Sequence, residues 1–114
     1  MQPTERDAAC LWDMLQACKE ILDFCADAGW EDFIADRKLC LAVERSLEIV
    51  GEAAGKVSEE FQGKHPAISW QQIKGMRNIL AHEYGQIDYE IVYKTVTDDI
   101  PGLAAALEAL LPPE

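Results

Sequence analysis

Basic charge is what this sequence has least of: 10 Lys and Arg stand against 21 Asp and Glu, a formal net charge of −11 at pH 7. Such a balance repels polyanions at long range and argues against non-specific binding to nucleic acid. No run approaches the ~20 apolar residues that span a bilayer, so no membrane segment is expected. The chain opens with Glu5, Asp7 and Asp13 instead of a basic stretch and an apolar one, so it does not read as a signal peptide. Cysteines at 10, 18, 25 and 40 form no C-x-x-C pair and have no His cluster nearby. That pattern indicates neither a zinc site nor a thioredoxin-like motif, and no metal or cofactor is expected. The four read as reduced, small apolar side chains of a cytoplasmic protein. Repeats, low-complexity tracts and plausible strands are missing too.

What is present is helical periodicity across one domain, residues 1–114, long enough to bury a core without disulfides. Thr4 with Asp7 resembles a capping box, and Leu11, Leu15, Cys18, Leu22 and Cys25 recur at spacings of four and three. These predict a first helix over about 5–28, stopped by Gly29. Trp30 to Ala35 reads as a short turn or helical loop whose aromatics tuck against the bundle. Asp36 caps a second helix over 37–62, with Leu39, Val43, Leu47, Val50, Ala54, Val57 and Phe61 as its buried stripe. Gly51 and Gly55 inside it each cost about 1 kcal/mol of helix propensity; they either admit a close neighbour or are simply tolerated.

Ser69 with Gln72, and Ile68 with Ile73, specify the start of a third helix running to His82 or Glu83 and ending at Gly85. His65, before Pro66, reads as an exposed loop residue. Asp88 caps a fourth helix, Pro101 breaks or kinks it, and Leu103, Leu107, Leu110 and Leu111 mark a last short one. The expected fold class is all-α, an up-and-down bundle of four to five helices with short connections.

One stretch carries unusual chemistry: Arg77-Asn78-Ile79-Leu80-Ala81-His82-Glu83-Tyr84. Arg grips phosphate or carboxylate with a planar fork of donors, and His changes protonation near neutral pH. The same run could be the wet face and C-terminal cap of a helix, where cations favour the helix dipole. Charge distribution keeps the functional reading open. Residues 37–77 carry seven basic and five acidic groups, against two and nine before them and one and seven after. An acidic exterior also suits a basic protein partner. On one straight helix Arg77 and His82 point roughly 140° apart, so a single helix does not aim both at one atom. Either the helix unwinds near His82, or two protomers offer their copies to one cleft, and a two-fold homodimer is the arrangement expected here. Trp70 and Tyr89 could stack on bases, although packing is the commoner use of aromatics at helix starts. Glu83 is a possible second proton-transfer group, but a solvated helix-end carboxylate is the better account.

The run resembles the R-x4-H-x-Y signature of HepT-like toxins, members of the HEPN superfamily of small helical proteins. The resemblance extends to Trp30-Glu31-Asp32-Phe33 with Asp36-Arg37, to Leu47 through Ala54, to Ile68-Ser69-Trp70 before Gly75-Met76-Arg77-Asn78, and to Ile87 through Val92 running into Asp99-Ile100-Pro101. It thus covers nearly the whole chain. It implies a metal-independent endoribonuclease that uses the RNA 2′-hydroxyl as nucleophile, with no DNA substrate. It implies His82 as general base or acid, Arg77 as the clamp on the transition state, and Asn78 in support. It also implies a homodimer with a composite site, a toxin–antitoxin pairing of type VII kind, and an MNT-type nucleotidyltransferase antitoxin that transfers AMP to Tyr84. A non-catalytic HEPN module that binds a nucleotide or a nucleotidyltransferase partner is the alternative, favoured by the acidic charge.

Overall fold

The computed structural model describes residues 3–80 and 87–112. Helix α1 spans Glu5–Phe24, started by Thr4, whose hydroxyl accepts from the Asp7 N–H at 3.1 Å. Its inner face carries Leu11, Met14, Leu15, Cys18 and Ile21, all buried. Helix α3 spans Arg37–Lys56, with Asp36 accepting from the Leu39 N–H at 3.1 Å. It returns antiparallel to α1, because Asp7 at the start of one bonds Ser58 just past the end of the other. Val43, Leu47, Val50 and Ala54 on α3 are fully buried. Full burial of each large aliphatic side chain contributes about 1.5–3 kcal/mol, so this antiparallel pair is the spine of the fold.

The remaining helices pack around that spine. Short α2, Trp30–Ala35, lies against α3 and α7. Its Phe33 is fully buried within an aromatic cluster, with ring centroids 5.3 Å from Tyr93 and 6.2 Å from Trp30. Helix α4 is Glu59–Lys64, α5 is Trp70–Lys74 and α6 is Met76–Leu80, the last two lying on α3. Helix α7, Tyr89–Asp98, is capped by Asp88, and α8, Ile100–Leu110, packs on α1 and α7. The fold is an all-α bundle, and no helix among the described residues is long and apolar enough to cross a membrane.

Several helix boundaries differ from the sequence expectation, each for a physical reason. The expected second helix is two helices. Val57 is extended, and the Ser58 hydroxyl caps α4 through the Phe61 N–H at 3.2 Å. What holds the break is buried Asp7, whose carboxylate accepts from the Ser58 N–H at 2.8 Å and its hydroxyl at 2.6 Å. Asp7 therefore does not reach back to close a capping box with Thr4. The third helix is divided at Gly75, and Ser69 makes no side-chain cap. Gln72 bonds Asp99 across to the α7–α8 junction at 3.4 Å instead. Its expected end, from His82 to Gly85, lies outside the described residues. The first helix ends at Phe24, four residues early, so the chain can turn and let the Tyr93 hydroxyl donate to the Ala28 carbonyl at 3.1 Å. The expected break near Pro101 is present, with α7 ending at Asp98 and α8 starting at Ile100; Pro101 sits inside the first turn of α8, where its missing N–H costs nothing. His65 is half-buried, with its ring 4.3 Å from that of Phe61.

Burial also silences Cys18, whose thiol is pushed up to about 12 by desolvation. The thiolate is the reactive form, so at pH 8 the native protein should leave Cys18 unalkylated by iodoacetamide, while urea exposes it. Mass spectrometry of tryptic peptides checks this. Native labelling at the unfolded rate would mean the α1–α3 interface opens freely.

Candidate active site

Helices α5 and α6 bring Lys74, Arg77 and Asn78 to one face, since positions i, i+3 and i+4 are neighbours on a helix. The turn at Gly75 preserves that alignment because Gly75 keeps a right-handed helical backbone. Together with Glu48 on α3 and Leu80, these side chains line an open cleft of about 390 Å3.

Arg77 is seated there by a glycine. A β-carbon at Gly51 would lie 2.6 Å from Arg77 Cγ and 3.3 Å from Cδ, so the aliphatic stem runs directly over the α3 backbone. Only a residue without a side chain permits this approach. The two readings of the glycine pair thus divide: Gly51 admits a close neighbour, whereas Gly55 has nothing within 4 Å of a β-carbon. Gly51→Ala gives a specific expectation. Alanine improves helix propensity by about 1 kcal/mol, yet it displaces Arg77. Thermal stability should stay within a few degrees of wild type while the function served by Arg77 falls at least tenfold. Equal loss of both would show a packing defect instead.

Two residues of the cleft were not singled out from sequence. Lys74 lies three positions before Arg77, a spacing that could have revealed it. Its ammonium donates to Gln62 Oε1 at 3.1 Å. Glu48 on α3 is bonded to Arg45 at 2.6 Å, an exposed pair one helical turn long.

His82 and Tyr84 lie outside the described residues, as does Glu83. Of the expected site residues, the structure brings Arg77 and Asn78 together. Trp70 and Tyr89 serve packing. The Trp70 indole is buried against Phe61 and donates to the His65 carbonyl at 3.0 Å. The Tyr89 hydroxyl accepts from Arg37 at 2.7 Å and donates to the Glu44 carboxylate. Burial raises the Tyr89 phenol above its ordinary value, and the bond to Glu44 adds to this.

A family model described as ribonuclease HepT-like matches residues 14–110. The chain belongs to the HepT-like ribonuclease family. It is similar to a Methanocaldococcus jannaschii protein with an RNase designation, 36% identical over 106 residues, covering 92% of this chain and 97% of that one. A Thermococcus cleftensis protein designated as a ribonuclease HepT is 39% identical over 100 residues, covering 88% and 91%. A protein of Caldanaerobacter subterraneus subsp. tengcongensis, also with an RNase designation, is 38% identical over 101 residues, covering 89% and 90%. No solved structure matches the chain. As a HepT-like member of the HEPN superfamily, the chain places the arginine of its R-x4-H-x-Y run in this cleft, with its stem over Gly51.

Proposed function

We propose that this HepT-like protein is a metal-independent endoribonuclease, the toxin of a toxin–antitoxin pair acting in the cytoplasm. The observation that carries the reading is the seating of Arg77 over Gly51, in a cleft shared with Asn78 and Lys74, on a chain otherwise strongly acidic. A cation held in place at a cleft can stabilise charge that develops on a phosphorus centre. The 2′-hydroxyl oxygen of the substrate attacks its neighbouring phosphorus, and the bond from phosphorus to the 5′-oxygen breaks. His82 moves the proton, as base to the 2′-hydroxyl or as acid to the departing 5′-oxygen, while Arg77 binds the non-bridging oxygens. Asn78 orients His82 or binds phosphate. The products are a 2′,3′-cyclic phosphate and a 5′-hydroxyl.

In this reading the site is shared across a two-fold homodimer, which brings Arg77 of one copy to His82 of the other. A nucleotidyltransferase antitoxin neutralises the enzyme by transferring AMP to Tyr84, because added phosphate places negative charge where RNA phosphate must bind.

The test is incubation of wild type and His82→Ala with total RNA in EDTA, with analysis of the new ends. Cleavage by wild type alone, leaving cyclic phosphate, supports the nuclease. Inactivity of a folded, unmodified dimer across several RNAs would sink it and favour a binding module, the reading that the net charge of −11 supports. Tyr84→Phe should remain active and accept no AMP.

A further inference from the structure

We propose that Lys74 forms a second phosphate-binding subsite in the Arg77 cleft, holding a phosphodiester next to the one cleaved; the proposal rests on the ribonuclease reading above. The amide nitrogen of Gln62 donates to the Val57 carbonyl at 2.8 Å, and its amide oxygen accepts from Lys74 at 3.1 Å. A backbone carbonyl can only accept and an ammonium can only donate, so the two partners fix the amide in one orientation. Val57 is the extended residue that ends α3, and this bond ties Gln62 of α4 to it. The break between α3 and α4 thus orients the group that steers Lys74.

Lys74 is only half-exposed, and its ammonium spends one of three donors on Gln62. Among the described residues the others have no partner, and the side chain lines the same cleft as Arg77, where they can meet a ligand. The two residues are three apart, which puts their β-carbons on the order of 5–6 Å from each other. Their chemistry differs usefully. Arg77 offers a planar fork to the oxygens at the reacting phosphorus, whereas Lys74 is a compact point charge that holds a phosphate without dictating its geometry. Glu48 also lines the cleft but is paired with Arg45, so among the described lining residues the charges of Lys74 and Arg77 are in excess.

With net charge −11, RNA affinity has to come from few local contacts, and each contact to a single strand adds about 0.7 to the slope of log affinity against log salt. Losing Lys74 should therefore be visible as one contact.

The experiment measures binding of a non-cleavable, 2′-O-methyl single-stranded RNA by fluorescence anisotropy across salt, beside cleavage kinetics on unmodified RNA. Lys74→Gln should weaken binding about tenfold, lower the slope by about 0.7 and raise KM more than it lowers kcat. Lys74→Arg keeps the charge and should restore most of the affinity. Gln62→Leu leaves the charge but frees it, and should weaken binding by less than Lys74→Gln with the slope retained. Lys19→Gln, on the α1–α8 side, removes the same charge and should change affinity less than twofold. If Lys74 only tied α5 to α4, Lys74→Gln and Gln62→Leu would lower the melting temperature alike and leave slope and affinity at wild-type values, which overturns the subsite. If wild type binds no RNA and cleaves none, the ribonuclease reading itself fails, and the subsite falls with it.

Discussion

Arg77→Ala and His82→Ala, each inactive alone, should recover about a quarter of wild-type cleavage when mixed in equal amounts and allowed to exchange subunits. Loss of general acid–base help costs 10²- to 10⁴-fold, so each variant by itself should be nearly silent while folded. Recovery follows from geometry. Residues 76–80 are helical, so Arg77 leaves α6 at a fixed angle, and continuing that helix would turn His82 roughly 140° away. In a shared site Arg77 of one copy works with His82 of the other. Half of the mixed dimers are then heterodimers, each with one intact pair out of two. If instead the chain unwinds after Leu80 to bring both groups together within one protomer, every protomer in the mixture lacks one of them. Activity would then stay at the single-variant level, and the composite site would be rejected. Cyclic-phosphate release from total RNA is the readout. Robust cleavage by both single variants would end the proposed mechanism altogether.

The largest stability effect should come from Asp7→Ala, a change far from the cleft. Asp7 is 3% exposed, and its carboxylate takes two bonds from Ser58, at 2.8 Å and 2.6 Å. Hydrogen bonds to a charged group contribute about 1.5–3 kcal/mol, and the Ser58 donors would be left without their acceptor. A loss of about 2–3 kcal/mol is expected, which for a domain near this size lowers Tm on the order of 10 °C. Ser58→Ala should cost less than Asp7→Ala, because it removes one bond to Asp7 and the α4 cap but leaves the backbone N–H paired. Urea unfolding of the three proteins checks the order. A loss under about 0.5 kcal/mol for Asp7→Ala would mean that the break after Val57 is held by packing alone. Because Val57 also anchors Gln62, a surviving Asp7→Ala protein should bind RNA less tightly than wild type.

The residues that misled the sequence reading are instructive. Ala54, Val57 and Phe61 keep the helical spacing straight through the break between α3 and α4, and all three are buried. Trp70, Ile73 and Met76 do the same across Gly75. A buried stripe records which side faces the core, and two short helices meeting at a small bend present the same stripe as one long helix. Ser58 before Glu59 and Glu60 was a legible cap signal, obscured by that continuity.

The sequence by itself determined the all-α class, the caps at Thr4, Asp36 and Asp88, the buried faces of the long helices and the R-x4-H-x-Y run with its family. Those features depend on interactions within about four residues, which spacing reports directly. Only the tertiary structure decided that Asp7 bonds the break after α3, 51 positions away, that Gly51 lies beneath the Arg77 stem, and that Gln62 accepts from Lys74 beside the same cleft. Each of those requires knowing which helix faces meet, and that is set by packing of the whole bundle and not by any local run of residues.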